Sequence, residues 1–194
     1  MLVVGIGGTT RRHSSSELAV ATALRAAAAQ GAETRHFGGT FLASLPHYAP
    51  EHPERTDAQL DFVDTVRRAD GIIIGTPGYH GGISALVKNA LDLLEDLRED
   101  TRPYFQDRAV GCVVTAAGWQ ACGTTLTSLR SVVHAMRGWP TPLGVTLNTG
   151  GTPLFHRDGH CTDTPTSERL TQLAHQIVEF GAATVPRATA MTGL

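Results

Sequence analysis

Residues suited to binding an anion lie close together near the start of the chain. A short apolar run, Leu2–Ile6, leads into the segment Gly8–Ser16, which is rich in glycine, hydroxyl and arginine residues. Glycine lets backbone N–H groups approach a ligand, hydroxyls donate further hydrogen bonds, and the N-terminus of a following helix favours negative charge. The segment therefore predicts a phosphate site, although an ordinary strand-to-helix turn with a serine cap would use the same residue types. The candidate phosphate-binding residues are Thr9, Arg11, Ser14, Ser15 and Ser16, with Arg12 as a further positive charge.

Two common phosphate-binding signatures are not matched. A P-loop needs Gly-Lys-Ser or Gly-Lys-Thr, which the sequence lacks. The dinucleotide fingerprint G-x-G-x-x-G begins at Gly5 and Gly7 but has Thr10 in place of its third glycine. Phe37 and Gly38 also stand where an acidic residue would hold a ribose. The pattern therefore favours a monophosphate ligand.

Two later glycine-rich segments are suited to holding a flat ring. Thr76–Gly82 follows the most β-like run in the chain, and Thr115–Gly123 follows another apolar run. Their glycines would let backbone N–H groups reach the heteroatoms of a ring. We expect the glycines at positions 78, 81 and 82 to leave the face of that ring open. The candidate ring contacts are Thr76, Pro77, Gly78, Tyr79, His80, Gly81, Ala117, Gly118 and Trp119.

Two of these side chains have a second interpretation. His80 either bonds the ring or a substrate, or lies in solvent as an ordinary loop histidine. Trp119 either touches the ligand or serves as a core or subunit-contact residue. The sequence leaves both alternatives open.

The segments that position these loops alternate between two patterns. Short apolar runs, typical of buried parallel strands, alternate with stretches whose apolar residues recur every three or four positions, as in amphipathic helices. Five strands and five helices in this order predict a doubly wound α/β sheet. The flavodoxin-like order 2-1-3-4-5 suits the length and gathers the candidate loops at the carboxyl ends of the strands. We expect one domain over residues 1–185 and a flexible tail at 186–194.

Local signals predict several boundaries and one interface. Ser14 and Thr56 each precede Glu or Gln by three residues, so each is expected to cap a helix. Gly38–Arg55 shows little periodicity and is expected to form a long loop. The apolar stripe from Ile83 to Leu97 predicts a helix that one sheet face would not cover fully, which favours at least a dimer.

The composition narrows the classes of function. Eighteen acidic and sixteen basic residues give a net charge of −2 without a long run of one sign. Bulk charge therefore gives no reason to expect binding to nucleic acid or to a membrane surface. No leader-like segment or membrane-length apolar stretch is visible, so the expected location is the cytoplasm.

Other reactive residues have ordinary structural interpretations. The three cysteines lack the C-x-x-C spacing of a zinc or redox motif. His156, His160 and Cys161 lie close together, but a turn-like dipeptide between the histidines removes the regular spacing of a helical metal site. Cys112 falls within a predicted buried strand, whereas Cys122 lies in the third loop and is the better candidate for a catalytic cysteine. We predict no metal and no catalytic side chain.

Around the three loops the sequence resembles the NADPH-dependent FMN reductase family. Gly8-Thr9-Thr10-Arg11 followed by Ser14-Ser15-Ser16 resembles the phosphate loop of that family, in which Gly-Ser-x-Arg and a later serine are usual. The segment Thr76–Asp92 is similar to the family pattern Ser/Thr-Pro-x-Tyr-x-Gly-x-x-x-x-x-Leu-Lys-Asn-x-Leu-Asp. Ala116-Ala117-Gly118 resembles its glycine turn. The first loop is short, threonine replaces serine at Thr9, and Val87 stands where leucine is common, but no needed donor is lost.

The resemblance implies a cofactor, a reaction and an assembly. It implies FMN, with its phosphate at Thr9, Arg11 and Ser14–Ser16 and its ring along Pro77–Gly81 and Gly118. NADPH or NADH would donate hydride to the bound FMN, and the chains would form homodimers or homotetramers with the flavin near a subunit boundary. Enzymes of this kind supply reduced flavin to a flavin-dependent monooxygenase or reduce quinones or azo dyes. A biosynthetic flavoenzyme with a specialised substrate and a flavodoxin-type electron carrier remain as alternatives, and the small net charge speaks against the carrier.

Overall fold

The computed structural model describes residues 1–156 and 158–184. The expected flexible tail at 186–194 lies outside the described residues. A 3-10 helix at Leu93–Leu97 continues the fourth α-helix. In chain order the strands and α-helices are β1 (Leu2–Gly7), α1 (Ser15–Ala28), β2 (Glu33–Phe37), α2 (Gly39–Ser44), α3 (Asp57–Arg68), β3 (Gly71–Tyr79), β4 (Gly82–Ile83), α4 (Ala85–Asp92), β5 (Ala109–Ala116), α5 (Trp119–Ala135), β6 (Trp139–Pro140), β7 (Val145–Asn148) and α6 (Thr164–Thr184).

The main sheet is parallel and has the predicted order. β1 lies between β2 and β3, and β5 pairs with the other edge of β3. The position beyond β5 is shared by two short strands, with β6 beside the first residues of β5 and β7 beside its last residues. Among the parallel strands, β5 is the fourth along the chain, and β6 and β7 together take the place of the fifth. The predicted order 2-1-3-4-5 is therefore confirmed, with its fifth strand broken in two.

The break in the fifth strand has a local cause. The ladder continues as far as Thr141, whose N–H donates to the carbonyl oxygen of Val110 at 3.0 Å. After Pro142, the next N–H in this alternation, that of Leu143, donates instead to Oε1 of Gln176 at 3.0 Å. The carbonyl oxygens of Thr141 and Pro142 accept hydrogen bonds from Nη2 of Arg130, at 2.9 Å each. A side chain from α5 therefore satisfies the backbone where the strand is interrupted.

Alternate residues of the central strand β3 face two helical layers. Ile72 and Ile74 pack in one core with side chains of α3, α4 and α5, whereas Ile73 packs in the opposite core with α1 and α6. All three are fully buried, as expected for a parallel strand covered on both faces. Among the described helices, none combines the length and the hydropathy that a membrane crossing needs.

The expected long loop at Gly38–Arg55 contains a helix, α2. Its six residues are too few to give a clear helical period, which is why sequence periodicity missed it. The ring of Phe41 lies 4.7 Å from that of Phe37, and Leu42 and Leu45 are buried in the core beside α3. Tertiary packing therefore stabilises a segment that has little helical signal of its own.

The apolar stripe expected to be left open is covered within the chain. The helix begins at Ala85 rather than Ile83, because Ile83 belongs to β4 and Ser84 caps α4. Leu86 is half-buried and packs against the core, and six of the apolar side chains that follow are no more than 3% exposed. They are Val87, Ala90, Leu91, Leu93, Leu94 and Leu97.

Candidate functional site

Three loops converge on one cavity at the carboxyl ends of the parallel strands. The cavity measures about 410 Å³, within the usual range for small-molecule sites. The segment after β1 contributes one wall, the end of β3 another, and the end of β5 the floor between them. The lining residues are Thr9, Thr10, Arg11, Ser14, Ser15, Ser16, Pro77, Gly78, Tyr79, Thr115, Ala116, Ala117 and Thr149.

The first loop is organised by its own hydroxyl groups. Ser14 caps α1, since its Oγ accepts a hydrogen bond from the N–H of Glu17 at 3.4 Å, and it lies 3.4 Å from Oγ of Ser16. Oγ1 of Thr9 accepts a hydrogen bond from the backbone N–H of Arg11 at 3.1 Å. Arg11 is exposed and lines the cavity. The first N–H groups of a helix have no partner within the helix. Hydroxyls, an arginine and a helix N-terminus therefore face one end of the cavity, where an anion is favoured.

The second segment is a β-hairpin rather than the expected loop. β3 extends to Tyr79 and pairs with β4 in antiparallel fashion, leaving His80 and Gly81 as the two turn residues. Their φ angles are 53° and 79°, and a type I′ turn requires positive φ at both positions. Neither residue lines the cavity, whereas Tyr79 lies at its edge with 57% of its surface exposed.

Thr76 supports the hairpin instead of lining the cavity. It is fully buried, and its Oγ1 accepts a hydrogen bond from the N–H of Ser84 at 3.0 Å. The same hydroxyl donates to the carbonyl oxygen of Pro77 at 3.0 Å. Thr76 therefore fixes Pro77 and the start of α4 relative to each other.

Two glycines of this hairpin lie against helix α5. A Cβ atom on Gly78 would lie 2.7 Å from Oγ1 of Thr125, and one on Gly81 would lie 3.4 Å from Cγ2 of Thr124. The Oγ1 of Thr125 is buried and has no hydrogen-bond partner among the residues that the structure describes. The Cβ positions of Gly78 and Gly81 therefore point towards α5, whereas one on Gly82 would meet only the carbonyl oxygen of Tyr79, at 3.9 Å. That the three glycines leave the face of a ring open stays a prediction.

The third loop is shorter than expected. α5 begins at Trp119, so only Ala117 and Gly118 separate it from β5. Ala117 lines the cavity, whereas Gly118 does not, and a Cβ on Gly118 would meet nothing within 4 Å. Trp119 is 63% exposed and lines a separate depression next to the cavity, so it is not a core residue.

Four lining residues were missed by the sequence interpretation. Thr10, Thr115 and Ala116 lie inside loops that were recognised, but their side chains or backbone were not assigned to the site. Thr149 follows β7, whose carboxyl end lies beside that of β5. The signal that would have found Thr149 is the strand order itself, because it places the loop after the fifth strand next to the site.

Two supporting residues also lie far along the chain from the residues they support. A Cβ on Gly39 would collide with the carbonyl oxygen of Thr9, so the first loop packs directly on the start of α2. Asn89 accepts a bond from the N–H of Tyr48 at 2.9 Å and donates to the carbonyl oxygen of Pro46 at 3.1 Å. The asparagine of the Leu-Lys-Asn pattern thus holds the 38–55 segment against α4.

Cysteine and metal chemistry are poorly supported at this site. Burial raises the pKa of the Cys112 thiol to about 12 and also raises that of Cys122. Cys122 lies buried in α5 rather than in a loop, and its thiol is 3.5 Å from the carbonyl oxygen of Leu147. Within residues 1–156 and 158–184, no group of three His, Cys, Asp or Glu side chains is arranged to hold a metal ion.

Comparison with known proteins places this architecture among flavoproteins. The chain is 30% identical over 133 residues to an FMN-dependent NADPH-azoreductase of Staphylococcus aureus, covering 68% of this chain and 66% of that protein. It is 29% identical over 131 residues to an iron-sulfur flavoprotein of Archaeoglobus fulgidus, covering 64% of this chain and 66% of that protein. The matched segment therefore spans just under two thirds of each relative.

A solved structure supports the fold over nearly the whole chain. The flavoenzyme NAD(P)H:(acceptor) oxidoreductase of Paracoccus denitrificans superposes with a TM-score of 0.71 at 19% identity, covering 94% of this chain and 98% of that one. The family model described as NADPH-dependent FMN reductase matches residues 1–152, the part that contains all three loops and every residue lining the cavity. The chain belongs to the NADPH-dependent FMN reductase family.

Proposed function

We propose that this protein is an NAD(P)H-dependent flavin oxidoreductase that holds FMN in the cavity formed by the three loops. The proposal is carried by one observation. The loop after β1, which is suited to an anion, and the ends of β3 and β5, which offer mainly backbone N–H and C=O groups, line one cavity of about 410 Å³. A flavin mononucleotide has a phosphate at one end and a flat ring at the other. The two ends of the cavity differ in the same way.

The donor set at the phosphate end fits a phosphate group. Thr9, Ser15 and Arg11 would bind its oxygens, together with the free N–H groups at the start of α1. Ser14 and Ser16 also line the cavity, but each is only 1% exposed. Their hydroxyls would contact the phosphate while also shaping the loop.

The ring end offers mainly backbone groups. Pro77, Gly78 and Ala117 would lie along the ring, and Tyr79 would cover its outer edge. We assign His80, Gly81, Thr76 and Gly118 to the support of these segments, since none of them lines the cavity.

The protein supplies binding and orientation rather than acid–base catalysis. FMN, when bound, would supply the redox chemistry between a reduced nicotinamide and an electron acceptor. Among the lining residues, the ionisable side chains are those of Arg11 and Tyr79, so neither a carboxylate nor an imidazole faces the ligand in the described part of the chain. The chain would therefore act by placing the reactants in contact and excluding water.

Reduction of the bound flavin tests this function directly. We expect NADPH or NADH alone to bleach the visible absorbance of the FMN-loaded protein in an anaerobic stopped-flow experiment.

Turnover with added FMN would favour supply of reduced flavin to a monooxygenase, and turnover with quinones or azo dyes would favour direct reduction of such acceptors. If neither nicotinamide reduces the flavin but a partner reductase does, the protein is an electron carrier. Fast reduction without reoxidation by any simple acceptor would point to a specialised substrate.

The phosphate end makes a second prediction. FMN should bind far more tightly than riboflavin, and Arg11→Ala should weaken FMN by about 1.5–3 kcal/mol, the range for a hydrogen bond to a charged group. The adjacent Arg12 does not line the cavity, so Arg12→Ala is the matched control and should leave the affinity nearly unchanged. Isothermal titration calorimetry measures the affinities of the unsubstituted protein for FMN and riboflavin and those of the two variants for FMN. Equal affinity for FMN and riboflavin would contradict the assignment of the phosphate site.

The assembly is proposed to be a homodimer. The support is a groove of about 390 Å³ between α4 and α5, whose apolar floor includes Leu91, Val132 and Met136. Light scattering at micromolar concentration should give the mass of at least two chains, and Val132→Glu should shift the protein towards monomer because it places a charge in the groove. A monomer in the unsubstituted protein would contradict this proposal without affecting the flavin site.

A further inference from the structure

A second depression lies beside the proposed FMN cavity. It measures about 250 Å³ and lies between the start of α5, the end of β7 and the first turn of α6. Apolar surface comes from Trp119, Leu154 and Pro165, and polar groups come from Asn148 and Arg169. Trp119 is 63% exposed, and an indole in such a position can stack on a flat ring.

At two places, residues close together in the chain line the cavity and the depression respectively. Ala117 lines the cavity and Trp119 lines the depression, with only Gly118 between them. Thr149 lines the cavity, and the preceding residue, Asn148, lines the depression. A molecule whose reactive group contacts the ring end of the cavity could therefore extend into the depression.

The charges in the depression favour an anion at one position. The carboxylate of Asp163 accepts a hydrogen bond from the N–H of Thr166 at 2.9 Å and caps α6, and hydrogen bonds from Thr166 lower its pKa. The charge of nearby Arg169 lowers that pKa as well. Arg169 takes part in no salt bridge within residues 1–156 and 158–184, so its guanidinium can still donate hydrogen bonds to a ligand anion, although Asp163 lines the same depression.

We propose that this depression binds the distal aromatic group of the second substrate, stacked on Trp119, with an anionic substituent at Arg169. This inference rests on the proposed function and assigns Trp119 to the second substrate rather than to FMN. Two molecules carry the required chemistry. One is NADPH, through its adenosine 2′-phosphate, and the other is an aromatic electron acceptor bearing a carboxylate or sulfonate.

The test uses Trp119→Ala and Arg169→Gln in the FMN-loaded protein. Trp139→Ala is the matched control, because Trp139 is 58% exposed but lies on β6, at the other end of the fifth strand. Calorimetry with adenosine 2′,5′-bisphosphate and with adenosine measures binding without turnover. Steady-state KM values for NADPH, NADH, a carboxylated azo dye and a neutral quinone measure the effect on each substrate.

Each result has a defined meaning. Both substitutions should leave the FMN Kd within about twofold, and Arg169→Gln should weaken the anionic ligand by about tenfold or more, as expected for loss of a charged hydrogen bond. A loss confined to adenosine bisphosphate and NADPH identifies the nucleotide as occupant, and a loss confined to the charged dye identifies the acceptor. The proposal is overturned if every affinity and KM is unchanged, if charged and neutral ligands weaken equally in Arg169→Gln, or if Trp119→Ala releases FMN. Failure of the unsubstituted protein to bind FMN, or of its FMN to be reduced, would instead refute the proposed function.

Discussion

Gly78→Ala should weaken FMN binding by roughly 10- to 100-fold, and Thr125→Ala in the same chain should restore much of that loss. The added methyl group would lie 2.7 Å from Oγ1 of Thr125, which is well inside van der Waals contact. Thr125 is fully buried on α5 and cannot rotate away freely, so the end of β3 must move instead. Overpacking of this kind costs about 1–3 kcal/mol, and here the strain falls on the backbone that lines the ring end of the cavity.

Three further variants separate steric strain from other causes. Thr125→Ala alone should bind FMN normally, because the Oγ1 that it removes has no hydrogen-bond partner. Thr125→Val keeps an atom in place of the hydroxyl, so the double variant with Gly78→Ala should remain impaired. FMN affinity by fluorescence quenching and Tm by calorimetry would be measured for each. A Gly78→Ala protein that binds FMN normally would show that α5 yields, and restoration by Val as well as Ala would rule out a steric mechanism.

Gly39→Ala should weaken FMN binding to a similar degree through the opposite end of the cavity. The new Cβ would collide with the carbonyl oxygen of Thr9, and a backbone atom cannot move aside without moving the whole first loop. The hydroxyl of Thr9 holds the N–H of Arg11, so displacement of Thr9 also displaces the arginine. The expected cost is again about 1–3 kcal/mol, with the affinity for FMN falling more than that for riboflavin because the phosphate end is disturbed.

Gly123→Ala provides the matched control for this substitution. A Cβ on Gly123 would meet nothing within 4 Å, and the residue lies inside α5, where alanine is favoured over glycine by about 1 kcal/mol. Its FMN affinity should be unchanged and its Tm should rise. Calorimetric titration with FMN and riboflavin checks both glycine variants. Equal losses for the two flavins in Gly39→Ala would indicate general unfolding rather than displacement of the phosphate loop.

The parts of the structure with strong local signals could be predicted from the sequence. The consecutive isoleucines of β3, the capping residues Ser14 and Thr56, and the glycine turn after β1 each depend on neighbours within a few positions. Parallel strands covered on both faces need continuous apolar runs, so their number and order followed from the alternation of patterns. The converging loops followed in turn, because the carboxyl ends of parallel strands share one edge of the sheet.

Short elements and turns were predicted less well for the same reason. α2 has six residues, and β4 has two, so neither contains enough residues to establish a period. The positive φ of His80 was also hidden, because the type I′ turn that requires it exists only once β3 and β4 pair. Local pattern therefore located the second segment but gave it the wrong shape.

Which residues face the cavity and which support it depends on contacts between distant segments. Whether glycine is needed at position 78 depends on Thr125, and whether it is needed at position 39 depends on Thr9. Trp119 likewise was separated from the FMN cavity by the early start of α5. These relations join residues far apart in the chain, and their distances are set by how helices pack on the sheet. Local pattern was enough to predict the sheet and the chemical character of its loops, whereas packing between distant segments sets the role of each residue within them.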